Sequence, residues 1–200
     1  MTYLDLLFIP VTVIYFLVVT TLFMYGLNFL YLSYHAWKKR DALESEPPKN
    51  LESFPFVTIQ LPIYNELYVA ERLIEAAAAL DYPRGRFEIQ VLDDSTDETV
   101  SLVARSVDRI KARGIDIHHL HRAERHGYKA GALADGLQTA QGEFIAIFDA
   151  DFVPNPDFLK KLLPYFDADE IAFVQARWGY LNGNYSLLTF LQSLSLDAHF

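Results

Sequence analysis

The sequence predicts an α/β domain with a mostly parallel sheet covered by helices on both faces, preceded by one membrane-spanning helix. Three observations carry this. Short β-rich runs alternate with helical stretches from Phe56 onward, and strands joined through helices pair in parallel. No Asp, Glu, Lys or Arg occurs from Leu6 to Trp37, a run longer than the roughly 20 residues that cross a bilayer. Polar clusters close three of the β runs, where open α/β sheets bind their ligands.

Residues 1–40 read as the transmembrane anchor. Lys38, Lys39 and Arg40 follow the apolar run, whereas the N-terminal flank carries Asp5 and no basic side chain. The positive-inside rule then puts the N-terminus outside and the rest of the chain in the cytoplasm. A cleaved signal peptide fits less well, because the run is too long and lacks a basic n-region and a small-residue cleavage site. A buried core helix is the remaining alternative. Residues 41–55, polar and proline-bearing, read as a linker. Residues 56–200 read as the globular part, without repeats or low-complexity tracts.

Within it, residues 57–61 are a first strand stopped by Pro62. A helix with an alanine-rich centre follows over 68–80, and a second strand over 87–92 ends at Asp93-Asp94-Ser95. The next helix, 96–113, has Ser95 or Thr96 as cap and Asp97 and Glu98 in a favourable first turn, and Gly114 stops it. A third strand spans 115–120, and a basic loop leads into a helix over 129–140 stopped by Gly142. Residues 144–148 form a fourth strand, 156–166 a helix and 171–175 a fifth strand.

The chain has no cysteine, which excludes disulfides, zinc–thiolate sites and thiol nucleophiles. Its net charge of −9 argues against a nucleic-acid-binding surface. A diphosphate stays compatible, because a metal and one lysine neutralise it locally.

The clusters at the strand ends are Pro62-Ile63-Tyr64-Asn65-Glu66, Asp93-Asp94-Ser95 and Asp149-Ala150-Asp151. Strand alternation starts Asp149 and Asp151 on the same side. One or two carboxylates hold a hard cation such as Mg²⁺ while phosphates and water complete its octahedron. Alone, Asp-x-Asp also describes a solvated turn with an Asx cap. Three acidic clusters at one edge favour a site, because their repulsion costs stability unless cations or donors offset it. The loop Arg122-Ala123-Glu124-Arg125-His126-Gly127-Tyr128-Lys129-Ala130-Gly131-Ala132 brings cations and two glycines to a helix start. That suits phosphate oxygens, with Lys129 as a point charge; a solvated basic loop is the other reading. Neither a dinucleotide-binding glycine pattern nor a P-loop occurs. Among His118, His119 and His121, adjacent residues of a strand face opposite ways, so a shared metal is not expected. His126 and His199 have no assigned role.

Pro62-x-Tyr64-Asn65-Glu66, Asp93-Asp94-Ser95, Lys129-Ala130-Gly131-Ala132-Leu133 and Asp149-Ala150-Asp151, in this order and spacing, resemble the processive family-2 glycosyltransferases with a GT-A, Rossmann-like fold. Val174-Gln175-Ala176-Arg177-Trp178 and Ser195-Leu196-Asp197-Ala198-His199-Phe200 resemble the mannan and glucomannan synthase branch of the cellulose-synthase-like enzymes. The resemblance runs from Phe56 to the end of the chain. It implies nucleotide-sugar binding by Pro62, Tyr64, Glu66, Asp93, Asp94, Lys129 and Asp149. Tyr64, Glu66 and the Asp93/Asp94 pair would line the nucleoside pocket, and Lys129 would sit near the diphosphate. Asp149 and Asp151 would hold Mg²⁺ or Mn²⁺, with Asp151 the more direct ligand. Gln175, Arg177 and Trp178 would lie on the acceptor side, and residues 185–200 would form an interface helix against the membrane, a plain core helix being the alternative.

The activity so implied is inverting transfer of a sugar from a UDP- or GDP-hexose to a growing β-linked polysaccharide. A lipid-linked acceptor and a non-catalytic nucleotide-sugar-binding module are the alternatives. The resemblance also implies a general base in a Thr-Glu-Asp-like motif and a later Gln/Arg-x-x-Arg-Trp motif. Neither occurs in residues 1–200, so both are expected beyond Phe200, with further membrane helices, and the chain reads as the donor-binding half of a longer one.

Overall fold

A computed structural model describes residues 3–43, 51, 53–166 and 170–197. The chain divides into two units, Met1–Pro47 and Pro48–Phe200.

The described residues of the first unit form one helix, α1 (Tyr3–Leu43). Its stretch Phe8–His35, 28 residues, is long and apolar enough to cross a membrane. The Thr12 and Thr21 hydroxyls donate to the Phe8 and Leu17 carbonyls, so neither polar group needs water. The helix runs three residues past the expected end of the anchor at residue 40, because Asp41, Ala42 and Leu43 include no breaker. The expected linker lies outside the described residues at 44–50 and 52.

The second unit is built on four parallel strands: β1 (Val57–Ile63), β2 (Phe87–Asp93), β3 (Ile117–His121) and β4 (Phe144–Ile147), in the order β3-β2-β1-β4. Helices α2 (Ala70–Ala78) and α3 (Thr99–Ala112) make the first two crossovers and pack on each other and on one face of the sheet. Val57, Ile59 and Leu61 of β1 and Ile89 and Val91 of β2 point into that face. There they meet Leu73, Ile74, Ala77, Val103 and Ile110, all fully buried. Burying one such aliphatic side chain contributes about 1.5–3 kcal/mol.

Helix α4 (Tyr128–Leu137) covers the opposite face, which is polar where the first is apolar. The Thr58 hydroxyl donates to Glu88 Oε1 at 2.6 Å, and Gln60 Nε2 to Gln90 Oε1 at 3.0 Å. The residues after α4 complete this seam. Gln90 Nε2 donates to Thr139 Oγ1, the Gln141 N–H to Glu88 Oε1, and the Gly142 N–H to Thr58 Oγ1. Buried polar groups persist because they are hydrogen-bonded.

Three expectations are corrected. Pro62 does not stop β1, which stays paired to β2 through Ile63↔Asp93. Even-numbered residues of β1 turn their backbone groups towards β4, as the Phe148 N–H donating to the Gln60 carbonyl shows. The N–H that proline lacks therefore falls where the β1–β4 ladder has already ended, at Gln60↔Ile147. The expected fifth strand is absent among the described residues: 171–180 form no ladder, and Ile171 and Phe173 are exposed. A β-rich run without a neighbour to pack on is not held extended by propensity. The helix expected over 156–166 is only α5 (Phe158–Leu162) followed by a 3₁₀ turn, Leu163–Tyr165, because Pro164 cannot continue the α-helical ladder. The last helix, α6 (Leu187–Asp197), falls within the expected 185–200; residues 198–200, including His199, lie outside the described ones.

Candidate active site

β1 is where the chain order reverses, with β2 on one side and β4 on the other. Its ladder with β4 ends three residues before its ladder with β2, so the sheet opens there at its carboxyl edge. A cleft of about 400 Å³ occupies the opening. Pro62, Tyr64 and Glu66 reach it from the end of β1, Asp94 from the end of β2, Lys129 from α4, and Asp149 and Asp151 from beyond β4. Six of the seven residues expected to bind nucleotide-sugar, and both expected metal ligands, thus line one cleft.

The loops after β1 and β2 are stitched together by Asn65, whose φ of 54° lies in the left-handed region that asparagine tolerates. Its N–H donates to Ser95 Oγ and its Oδ1 accepts from the Thr96 N–H, both at 2.9 Å. Ser95 is thereby spent on the loop rather than on capping α3, where Asp97 Oδ1 accepts the Thr99 N–H instead.

Asp93, the seventh residue, does not line the cleft. It is the last residue of β2 and in register with Ile63, so its side chain turns to the α2/α3 face and is fully buried. Asp93 Oδ1 accepts the Ser95 N–H at 2.9 Å, and Oδ2 lies 2.8 Å from His119 Nε2. Burial pushes the Asp93 carboxyl up, but the hydrogen bonds from His119 and Ser95 outweigh it and hold the group below the ordinary carboxylate value. His119 and His121 share this face, while His118 lies across the sheet beside Asp116. Asp93, His119 and His121 bring possible ligand atoms within 4.8 Å of one another. His121 Nδ1 is 3.0 Å from the Asp93 carbonyl, an acceptor only, which puts the proton on that nitrogen.

Asp94, by contrast, is almost fully buried in the cleft wall and is clamped by Arg122. Arg122 Nε donates to Asp94 Oδ1 at 2.7 Å and Nη2 to Oδ2 at 2.6 Å. Its remaining donors go to Asp135 Oδ2 and to the His126 and Tyr128 carbonyls. The bonds to Asp94 and then Asp135 push the guanidinium well above its ordinary value. In the sequence Arg122 is one of several loop cations; Asp94 lies 28 positions upstream, a distance at which no local pattern announces the pair.

Gly127 and Tyr128 both have positive φ, 67° and 52°, an arrangement that costs the tyrosine energy. A Cβ on Gly131 would stand 1.9 Å from the His126 carbonyl oxygen, so only glycine lets α4 start this close to the loop. Lys129 in that first turn pairs with Asp149 Oδ1. Arg125 lies over Tyr64, its guanidinium carbon 3.5 Å from the ring centroid, and also lines the cleft. Beyond Asp151, whose carbonyl accepts from Arg72, the Phe152 ring meets Trp178 edge-on at 5.2 Å. Of the expected acceptor-side residues, Trp178 thus stands beside Phe152; Gln175, Arg177 and Trp178 are all exposed, and none of the three lines the cleft.

This parallel α/β sheet with a cleft at its carboxyl edge has the GT-A architecture. Residues 58–192 match the family described as Glycosyl transferase family 2, and the chain belongs to that family. It is 43% identical over 175 residues to glucomannan 4-beta-mannosyltransferase 2 of Arabidopsis thaliana, covering 82% of this chain and 33% of the relative. It is 46% identical over 153 residues to the probable glucomannan 4-beta-mannosyltransferase 11 of Oryza sativa subsp. japonica, covering 74% and 27%. The chain therefore spans about a third of the length of such relatives. Among solved structures it resembles the mannosyltransferase PcManGT from Pyrobaculum calidifontis in complex with GDP-Man and Mn²⁺. The TM-score is 0.59 at 30% identity, over 68% of this chain and 40% of that one.

Proposed function

We propose that this chain forms the donor-binding part of a membrane-anchored, inverting glycosyltransferase that transfers mannose from GDP-mannose to a β-linked polysaccharide. One observation carries the reading: the nucleoside-side residues Tyr64, Glu66 and Asp94 and the diphosphate-side residues Lys129, Asp149 and Asp151 meet in one cleft. The relatives named as glucomannan mannosyltransferases and the neighbour holding GDP-Man support mannose as the sugar.

Asp149 and Asp151 form an all-oxygen donor pair, which suits the hard cations Mg²⁺ and Mn²⁺. A cation held there would stabilise the negative charge that grows on the departing diphosphate. Lys129 adds a second positive charge at the α4 terminus, where the helix dipole also favours an anion. Tyr64, one ring face of which Arg125 covers, offers the other to the nucleobase, and Trp178, beside Phe152, offers a face to the acceptor sugar. The apolar Phe8–His35 stretch anchors the chain, with Lys38 and the globular unit on the cytoplasmic side.

The test is binding of GDP-mannose and UDP-glucose to the detergent-solubilised chain, with and without Mn²⁺, in wild type and Asp151→Ala. We expect Mn²⁺-dependent binding of GDP-mannose that Asp151→Ala abolishes. Binding of UDP-glucose alone overturns the choice of sugar nucleotide, and binding of neither by folded protein overturns the donor site.

A further inference from the structure

The Arg122 side chain is mostly buried, although it belongs to a loop that reads as solvated and basic. A guanidinium has five N–H donors in a rigid fork, and here each has an acceptor. Two go to the Asp94 carboxylate, one to Asp135, one to the His126 carbonyl and one to the Tyr128 carbonyl. Those acceptors come from three places: Asp94 from the end of β2, Asp135 from within α4, and the two carbonyls from either side of Gly127. The last pair brackets Gly127, which with Tyr128 has the positive φ that turns the loop into α4 and delivers Lys129 to Asp149.

We propose that Arg122 is a positioning residue that holds the nucleoside wall and the diphosphate loop of the cleft at a fixed separation. Through Asp94 it is tied to the wall that carries the nucleoside, and through the His126 and Tyr128 carbonyls to the loop that presents Lys129. No phosphate contact is left for it to make, since all its donors are engaged; the cations that line the cleft are Arg125 and Lys129. A ligand that spans both halves depends on their separation, whereas a ligand filling one half does not. Lysine at this position keeps the charge but cannot reproduce the fork. This inference rests on the donor-site reading above.

The experiment compares wild type, Arg122→Lys and Arg109→Lys in detergent micelles. Arg109 is a second multiply paired arginine, bound to Glu71 and Glu75 where α2 meets α3 and away from the cleft. Each variant is titrated with GDP, guanosine and inorganic pyrophosphate in the presence of Mn²⁺, and its melting temperature is recorded. Arg122→Lys should weaken GDP roughly 10-fold or more, the scale of losing one hydrogen bond to a charged group, while guanosine and pyrophosphate stay within about 3-fold. Arg109→Lys should lower the melting temperature without touching any of the three affinities. Equal losses for all three ligands in Arg122→Lys, or an unchanged GDP affinity, overturn the inference while leaving the donor site standing. Failure of wild type to bind GDP overturns the donor site and the inference together. Should Arg122→Lys melt below the working temperature, Asp135→Asn takes its place, because Asp135 is exposed and holds only one of the five donors. A loss confined to GDP again supports the coupling, and no loss or a uniform one overturns it.

Discussion

The Lys129 ammonium donates to Oδ1 of Asp149, so the cation suited to a diphosphate rests on a carboxylate suited to its metal. A metal arriving alone competes with Lys129 for Asp149, whereas a metal–diphosphate gives Lys129 a new partner as it takes the old one. We expect Lys129→Met to bind Mn²⁺ more tightly than wild type in the absence of nucleotide. It should bind GDP more weakly by about 10-fold or more, the worth of one hydrogen bond to a charged group. Parallel titrations of Mn²⁺ and GDP check this, and a loss of affinity for both would refute the competition.

Gly131→Ala puts a methyl group 1.9 Å from the His126 carbonyl oxygen, and the obstacle is backbone, which cannot rotate aside. The loop must move away from α4, taking Lys129 with it. We expect a stability loss of about 1–3 kcal/mol, the usual cost of overpacking, together with a loss of GDP binding. Thermal melting and a GDP titration measure the two. Retention of wild-type affinity would show that the start of α4 does not shape the site.

The Asp93 carboxyl titrates below the ordinary value of 3.8 in the folded chain. The group therefore adds stability above that value. As pH falls past it, the unfolded chain takes up the proton first, and the contribution is lost until the folded carboxyl is protonated too. Asp93→Asn removes this linkage. It should be less stable than wild type near pH 6 and show a shallower loss as pH falls below the ordinary carboxylate value of 3.8. Melting temperatures across that range decide it; parallel acid limbs in the two proteins would show that Asp93 carries none of the acid sensitivity.

Alternation of strand and helix made the sheet legible, because each crossover is local and each strand has a β-rich core such as Ile89 and Val91. The clusters at the strand ends were legible for the same reason: once β1, β2 and β4 are parallel, Tyr64, Asp94 and Asp149 must emerge at one edge. What stayed hidden depended on partners. Pro62 looked like a stop because its missing N–H matters only on the β4 side, and that ladder ends first. Asp93 and Asp94 looked equivalent, yet one still obeys the strand's alternation and faces the core while the next has left the strand and faces the cleft. Residues 171–175 carry the composition of a strand but no described neighbour offers them a ladder. Arg122 was one cation among several until the fold brought Asp94 and Asp135 to it.

The seam beneath α4 has a further consequence. Greasy contacts between a helix and a sheet are tolerant of small slides, since one methyl group serves nearly as well as the next. The bonds from Gln90 to Thr139, from Gln141 to Glu88 and from Gly142 to Thr58 are directional and are lost within a fraction of an ångström. They index the far end of α4 like teeth on a rack, while Arg122 latches its near end. The rotational phase of the helix, and with it the aim of Lys129, is thus set by a row of amides and hydroxyls some three turns from the charge they point.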